Sequence, residues 1–133
     1  MRANGPESVL MLNQSQQFGK KSETIAVKHL KKQKYKILEE NYRTRLGEID
    51  IIAKDGDTIA FIEVKSRRSD QFGHPKWAIT PQKQRKISMV ALQYLKSTGQ
   101  SNARARFDVI SISLIQNKPE IELLKNAFET AFE

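Results

Sequence analysis

The sequence predicts an α/β fold, a mixed β-sheet flanked by helices, and three features carry that prediction. Two segments with helical apolar spacing bracket a run of β-rich sequence. Within that run, two strongly apolar stretches are joined at Asp55-Gly56, a strong hairpin signal. A last β-rich stretch follows the second helix, so it returns by a helical crossover, which parallel pairing requires. The expected order is helix, three strands, helix, strand and a small addition, an αβββαβ core.

Residues 1–15 contain Gly5, Pro6 and several amide or hydroxyl side chains and read as a flexible N-terminal arm. Met1 and Met11 are alternative starts. Residues 16–133 read as a single domain. The first helix is expected from Gln16 to Gln33, because Ala26, Val27 and Leu30 follow Glu23 at three, four and seven positions. Lys21, Lys28, Lys31 and Lys32 form its solvated side. Tyr35 to Arg45 reads as a strand with an irregular middle. Glu48 to Ile52 and Thr58 to Lys65 are the hairpin strands, and Gln71 to Ile79 is a loop. Thr80 is an N-cap with Pro81 at the first helical position. The second helix continues to Ser97, with Ile87, Val90, Ala91, Tyr94 and Leu95 as its apolar stripe and Gly99 beyond its end. Arg106 to Ile115 is a buried strand. Pro119 to Leu124 is a short edge strand, and residues 125–133 add a helical turn or two.

Composition narrows the functional classes. Lys and Arg total 23 against 15 Asp and Glu, a net charge of +8. That favours a nucleic-acid partner, with an acidic partner protein as the competing reading. After Pro119 the balance reverses, with Lys125 against Glu120, Glu122, Glu129 and Glu133. The absence of Cys excludes a disulfide scaffold, a thiolate zinc site and thiol catalysis. No apolar run reaches the roughly 18 residues of a membrane span. Ser8 to Leu12 is too short for a secretory core. The expectation is a soluble, cytoplasmic protein with no membrane association. With only His29 and His74, a histidine metal site or a Ser-His relay is not expected.

The chemistry concentrates in the hairpin. With Asp55 and Gly56 as the loop residues, Asp50 faces Phe61 and Glu48 faces Glu63. One face then carries Ile49, Ile51, Ala60, Ile62 and Val64. The other carries Glu48, Asp50, Ile52, Ile59, Phe61, Glu63 and Lys65. Three carboxylates and a lysine thus gather away from the turn. Like charges this close repel, and a hard divalent cation relieves the repulsion. Lys65 would then stabilise charge on a phosphate or orient a water. The set suits metal-assisted phosphodiester hydrolysis; the competing reading is an ordinary surface ion pair on a strand.

Gly47-Glu48-Ile49-Asp50-Ile51-Ile52, the turn Asp55-Gly56-Asp57 and Phe61-Ile62-Glu63-Val64-Lys65-Ser66-Arg67 together resemble the YraN-like family of small bacterial proteins. The resemblance spans about residues 18 to 124. It includes Glu23, Lys83 and the run Arg106-Phe107-Asp108-Val109. It implies a restriction-endonuclease-like fold of the PD-(D/E)xK nucleases, similar to Holliday junction resolvases. It further implies a Mg2+- or Mn2+-dependent endonuclease acting on DNA, including branched or structured DNA. Asp50 and Glu63 match the metal-binding acids, Lys65 the lysine of the E-x-K strand, and Glu23 the acid of the first helix. Ile49 stands where the name-giving Pro would. Resolvase-like relatives act as two-fold dimers, so a homodimer is an expectation to test.

Several residues carry two readings. Glu23 either serves the metal site or is a first-turn carboxylate favoured by the helix dipole. Glu48 is a further metal ligand or a partner of Arg45 or Lys65. Gln84 precedes Ile87 by three and Ala91 by seven and so points to the sheet; Lys83 does so instead if the helix is rotated. Arg106 and Asp108 read as a structural pair. Arg45, Arg67 and Arg68, with Lys83 and Gln84, are candidates for contacts to nucleic acid. Phe72 and Trp77 either stack on a base or fill space under the loop. The main alternative to an endonuclease is a non-catalytic nucleic-acid-binding protein that keeps the nuclease fold.

Overall fold

The computed structural model describes residues 14–67, 79–116 and 118–129. The expected arm up to residue 13, Arg68 and the loop carrying Phe72, His74 and Trp77 lie outside them. The elements are α1 (Gln14–Lys32), β1 (Lys36–Thr44), β2 (Gly47–Asp55), β3 (Thr58–Arg67), α2 (Pro81–Ser97), β4 (Arg104–Ile115) and β5 (Lys118–Phe128). The strands form one sheet in the order β1-β2-β3-β4-β5. The β3–β4 pair, joined through α2, is parallel, and the other pairs are antiparallel. This mixed sheet with a helix on each face is the restriction-endonuclease-like α/β arrangement that the sequence predicts.

Each face buries its own core. Ala26 and Leu30 of α1 cover Ile51, Ala53, Ala60, Ile62, Ile110 and Ile112. Ile87, Val90, Ala91, Tyr94 and Leu95 of α2 cover Ile52, Ile59, Phe61, Phe107 and Val109. Each fully buried Ile or Phe contributes roughly 1.5–3 kcal/mol. Tyr94 meets Phe61 and Tyr42 edge-on, with ring centroids 6.0 and 5.2 Å apart. The start of α2 follows the predicted cap, since Thr80 Oγ1 accepts from the Lys83 backbone N–H at 3.1 Å.

The hairpin register differs from the expectation by two residues. Asp55 pairs with Thr58, so Gly56 and Asp57 make the turn, with Gly56 at φ 63°. The reason lies in the Asp55 side chain, whose Oδ2 accepts from Arg106 Nη2 at 2.8 Å and holds Asp55 in the ladder. A shift of two preserves which residues share a face but changes their partners. The ladder runs to Ile51 opposite Ile62; one step further, Asp50 stands level with Glu63 rather than with Phe61. Glu48 lies beyond the paired part of the hairpin and is not a ladder partner of Glu63.

Ile49 is a second correction. It joins the α2 side with Ile52, not the face of Ile51. The alternation breaks here because β2 and β3 part after Ile51. In β1, Asn41, between the paired Glu40 and Tyr42, adopts φ 53°, which is the irregular middle the sequence predicts.

The C-terminal end is a third correction. Of the expected helical tail, residues 125–128 are strand, since β5 continues to Phe128, and residues 130–133 lie outside the described residues. Phe128 stacks on Phe107 at 4.8 Å, and the Asn126 backbone N–H donates to Asp108 Oδ1 at 2.9 Å. These two contacts extend the pairing across a bulge at Asn126 (φ 56°). Arg106 Nε binds both Asp108 oxygens, at 3.0 and 3.1 Å, and its Nη2 also donates to the Tyr35 hydroxyl at 2.7 Å. Arg106 and Asp108 are therefore the structural pair expected of them. Among the described residues, no helix is long and apolar enough to cross a membrane.

Candidate functional site

Asp50 sits in the fork where β2 leaves β3. Its Oδ2 accepts from the Val64 backbone N–H at 2.8 Å, so a side chain replaces a ladder bond there. Glu63, the next residue of β3 beyond the paired Ile62, is 3% exposed. The two carboxylates are thus held by backbone position, in partial isolation from water.

The electrostatics follow from that burial. Asp50 is pushed above the usual Asp range by burial; the Val64 N–H and the Lys83 ammonium oppose this. Glu63 is pushed up to about 7, first by burial and then by the Asp50 charge. Lys83 Nζ stands 3.1 Å from Glu63 Oε2. Burial acts to lower Lys83, but Glu63 and Asp50 outweigh it and hold it above the ordinary lysine value. Lys65 is held below the ordinary value by burial and then by the neighbouring Lys83 ammonium. Two acids and two ammonium groups therefore share one small volume.

A cavity of about 330 Å3 opens on the α2 side, between β2, β3 and the first turns of α2. Asp50, Glu63, Glu48, Lys83 and Lys86 line it, along with Gly47. At Gly47 (φ 153°) the chain passes under α2, where an added Cβ would lie 3.5 Å from Val90 Cγ2. Only a residue tolerant of this φ keeps the strand entry in that place.

The predicted residues divide by position. Asp50, Glu63 and Lys65 come together. Glu23 approaches from α1; Asn41 hydrogen-bonds its carboxylate, while burial and then the Asp50 charge push it above the usual Glu value. It is the tenth residue of α1, which removes the first-turn reading. Glu48 lines the cavity but is ion-paired with Arg43, not with Arg45 or Lys65. Arg45 is exposed in the turn between β1 and β2, and β3 ends at Arg67. The Gln84 amide donates to Ile79 O at 2.9 Å, which closes the entry to α2, and it does not reach the carboxylates.

Lys83, and not Gln84, reaches the acids, the alternative that the sequence left open for a rotated helix. The signal was present, since Lys83, Ile87, Val90 and Tyr94 recur at intervals of four, three and four. The β1 contribution of Asn41 and the Val64 N–H has no signature in the sequence. Among the described residues, no three Asp, Glu or His side chains converge as a ready metal cage. Two carboxylates are nonetheless a fitting donor set for Mg2+, which is commonly bound through one or two plus substrate phosphate. The cation already drawn to Glu63, the Lys83 ammonium, marks the same demand for positive charge.

Comparison with known proteins places relatives around this geometry. The model described as "Uncharacterised protein family UPF0102" matches residues 22–112, which contain every residue of the cavity. A UPF0102 protein of Desulfosudis oleivorans is 55% identical over 119 residues, covering 90% of this chain and 95% of the relative. One of Syntrophus aciditrophicus is 49% identical over 124 residues, covering 93% and 98%. One of Geobacter metallireducens is 52% identical over 115 residues, covering 86% and 94%.

Proposed function

The chain belongs to the UPF0102 (YraN) family, and from its site we propose that it is a metal-dependent endonuclease acting on DNA, including branched or structured DNA. One observation carries the reading. Buried Glu63 and half-buried Asp50 line an open cavity with Lys83 at the fork of a β-hairpin, with the Lys65 charge acting on both acids. Burial of like charges is costly, and a site that bears this cost is a candidate for chemistry.

Asp50 and Glu63 would hold Mg2+ or Mn2+, with Glu48 at the rim and Glu23 behind Asp50. Such an ion would supply polarisation of a water and positive charge against a phosphate. In the hydrolysis, a water oxygen forms a bond to phosphorus while the opposite P–O bond breaks. The water's proton leaves to solvent or a basic side chain, and the departing oxygen takes up a proton. Lys65, with its ammonium form disfavoured by burial, is suited to hold a proton at Nζ or to stabilise the phosphate oxygens. Arg45, Arg67 and Arg68 are the candidates for holding flanking phosphates.

A non-catalytic nucleic-acid-binding protein is the second reading. The Lys83–Glu63 pair and the lack of a third converging acid among the described residues favour it. Cleavage of branched and linear DNA in Mg2+ or Mn2+ decides between the two. Asp50→Ala, Glu63→Ala and Lys65→Ala should each abolish cutting while leaving salt-sensitive DNA binding in place. A wild-type protein that binds but never cuts would establish the second reading.

A further inference from the structure

Lys83 has the geometry of a removable counter-cation. Its backbone is fixed, because the N–H is bound by the Thr80 cap at 3.1 Å. Its ammonium is only 3.1 Å from Glu63, yet its side chain is 45% exposed against 4% for Glu63. The acid is therefore immobile in the sheet, and the base hangs on a flexible four-carbon stem at the cavity mouth. Asp50 and Glu63 are balanced in formal charge by Lys65 and Lys83. A divalent cation added to this arrangement would meet an ammonium already on Glu63, and close like charges repel strongly where water is scarce.

We propose that Lys83 occupies the cation seat of the Asp50–Glu63 pair, that divalent metal displaces it, and that the freed ammonium swings toward an incoming phosphate. The proposal rests on the metal-site reading above. Lys83 is then a positioning residue that keeps the acids paired in the resting protein. Its departure makes metal entry and polyanion binding mutually favourable, because the displaced positive charge finds its partner on the substrate.

Mn2+ titration followed by electron paramagnetic resonance tests this on wild type, Lys83→Met, Lys86→Met and Asp50→Asn. Lys83→Met should bind Mn2+ about tenfold more tightly than wild type or better, since the competing charge is gone. Lys86→Met removes a charge from the same cavity wall without vacating the seat and should change affinity only about two- to threefold. Asp50→Asn should bind more weakly than wild type. Equal gains in the Lys83 and Lys86 variants would reduce the effect to a general field and overturn the proposal. Wild type binding Mn2+ while Lys83→Met binds it no better would overturn this proposal alone. Absence of Mn2+ binding in both would overturn the metal site itself and the proposal with it. A second readout needs no substitution. The Lys83 ammonium resonance in nitrogen-15 spectra should be slow to exchange without metal and should broaden or shift when Mg2+ is added. An unmoved Lys83 signal at saturating Mg2+ would also overturn it.

Discussion

Replacing Glu63 with glutamine should stabilise the protein in alkaline solution, which is the reverse of what loss of an ion pair usually does. Glu63 is pushed up to about 7 from an ordinary 4.5 by burial and then by the Asp50 charge. The native state therefore retains a proton that the unfolded chain has lost. Between those two values stability falls as pH rises, and above about 7 the loss is complete. That displacement corresponds to about 3 kcal/mol at the usual 1.36 kcal/mol per pH unit. Glutamine removes that cost, and the raised value is already net of the attraction to Lys83, so loss of that attraction takes nothing further from the gain. The net expectation at about pH 9 is a gain of roughly 3 kcal/mol, some 9–12 °C in Tm. At about pH 5 the two proteins should differ far less. Urea unfolding of wild type and Glu63→Gln in parallel buffers measures the difference directly, with other titrating groups cancelling. A variant less stable than wild type by the same amount at both pH values would refute the reasoning. It would show that the attraction to Lys83 outweighs the burial of the charge.

Three further outcomes follow from the same structure. Metal uptake at the proposed site would require ionised Glu63, so Mn2+ affinity at about pH 6 should be roughly tenfold below that at about pH 8, with nearly one proton released per ion at the lower pH; a pH-independent isotherm would contradict it. Asp108→Ala removes the acceptor for Arg106 and for the Asn126 N–H at a fully buried position and should cost about 3 kcal/mol in urea unfolding, against a few tenths for a surface change. Gly47→Ala meets only ordinary contact at Val90 but must adopt φ 153°, so a loss of about 1–2 kcal/mol in thermal unfolding is expected from the backbone alone.

The parts of the fold governed by local rules were legible in the sequence. Thr80-Pro81 placed the start of α2, and the apolar spacing of Ile87, Val90, Ala91, Tyr94 and Leu95 named its buried side. The crossover from β3 to β4 dictated parallel pairing. What escaped depended on contacts distant in sequence. Asp55 entered the ladder because Arg106, fifty-one residues later, holds its carboxylate. Asp57 took the turn position instead, and the acids realigned by two. Likewise β5 outran its apolar pattern because Phe107 and Asp108 hold Phe128 and Asn126. For the site, the residue types were readable, since Asp50, Glu63 and Lys65 stand two positions or one register step apart. The rotation of α2 that selects Lys83 over Gln84 was not, because both fit an apolar stripe.

The hydrogen bond from the Val64 amide to Asp50 has a practical corollary. That proton is secured by a titratable oxygen rather than by a neighbouring peptide, so its exchange with deuterium registers what happens to the carboxylate. Whatever draws Asp50 away, whether an ion, a proton or a substitution, leaves one amide unguarded. The chain thus carries its own gauge of occupancy, readable at a single backbone position without any substrate in hand.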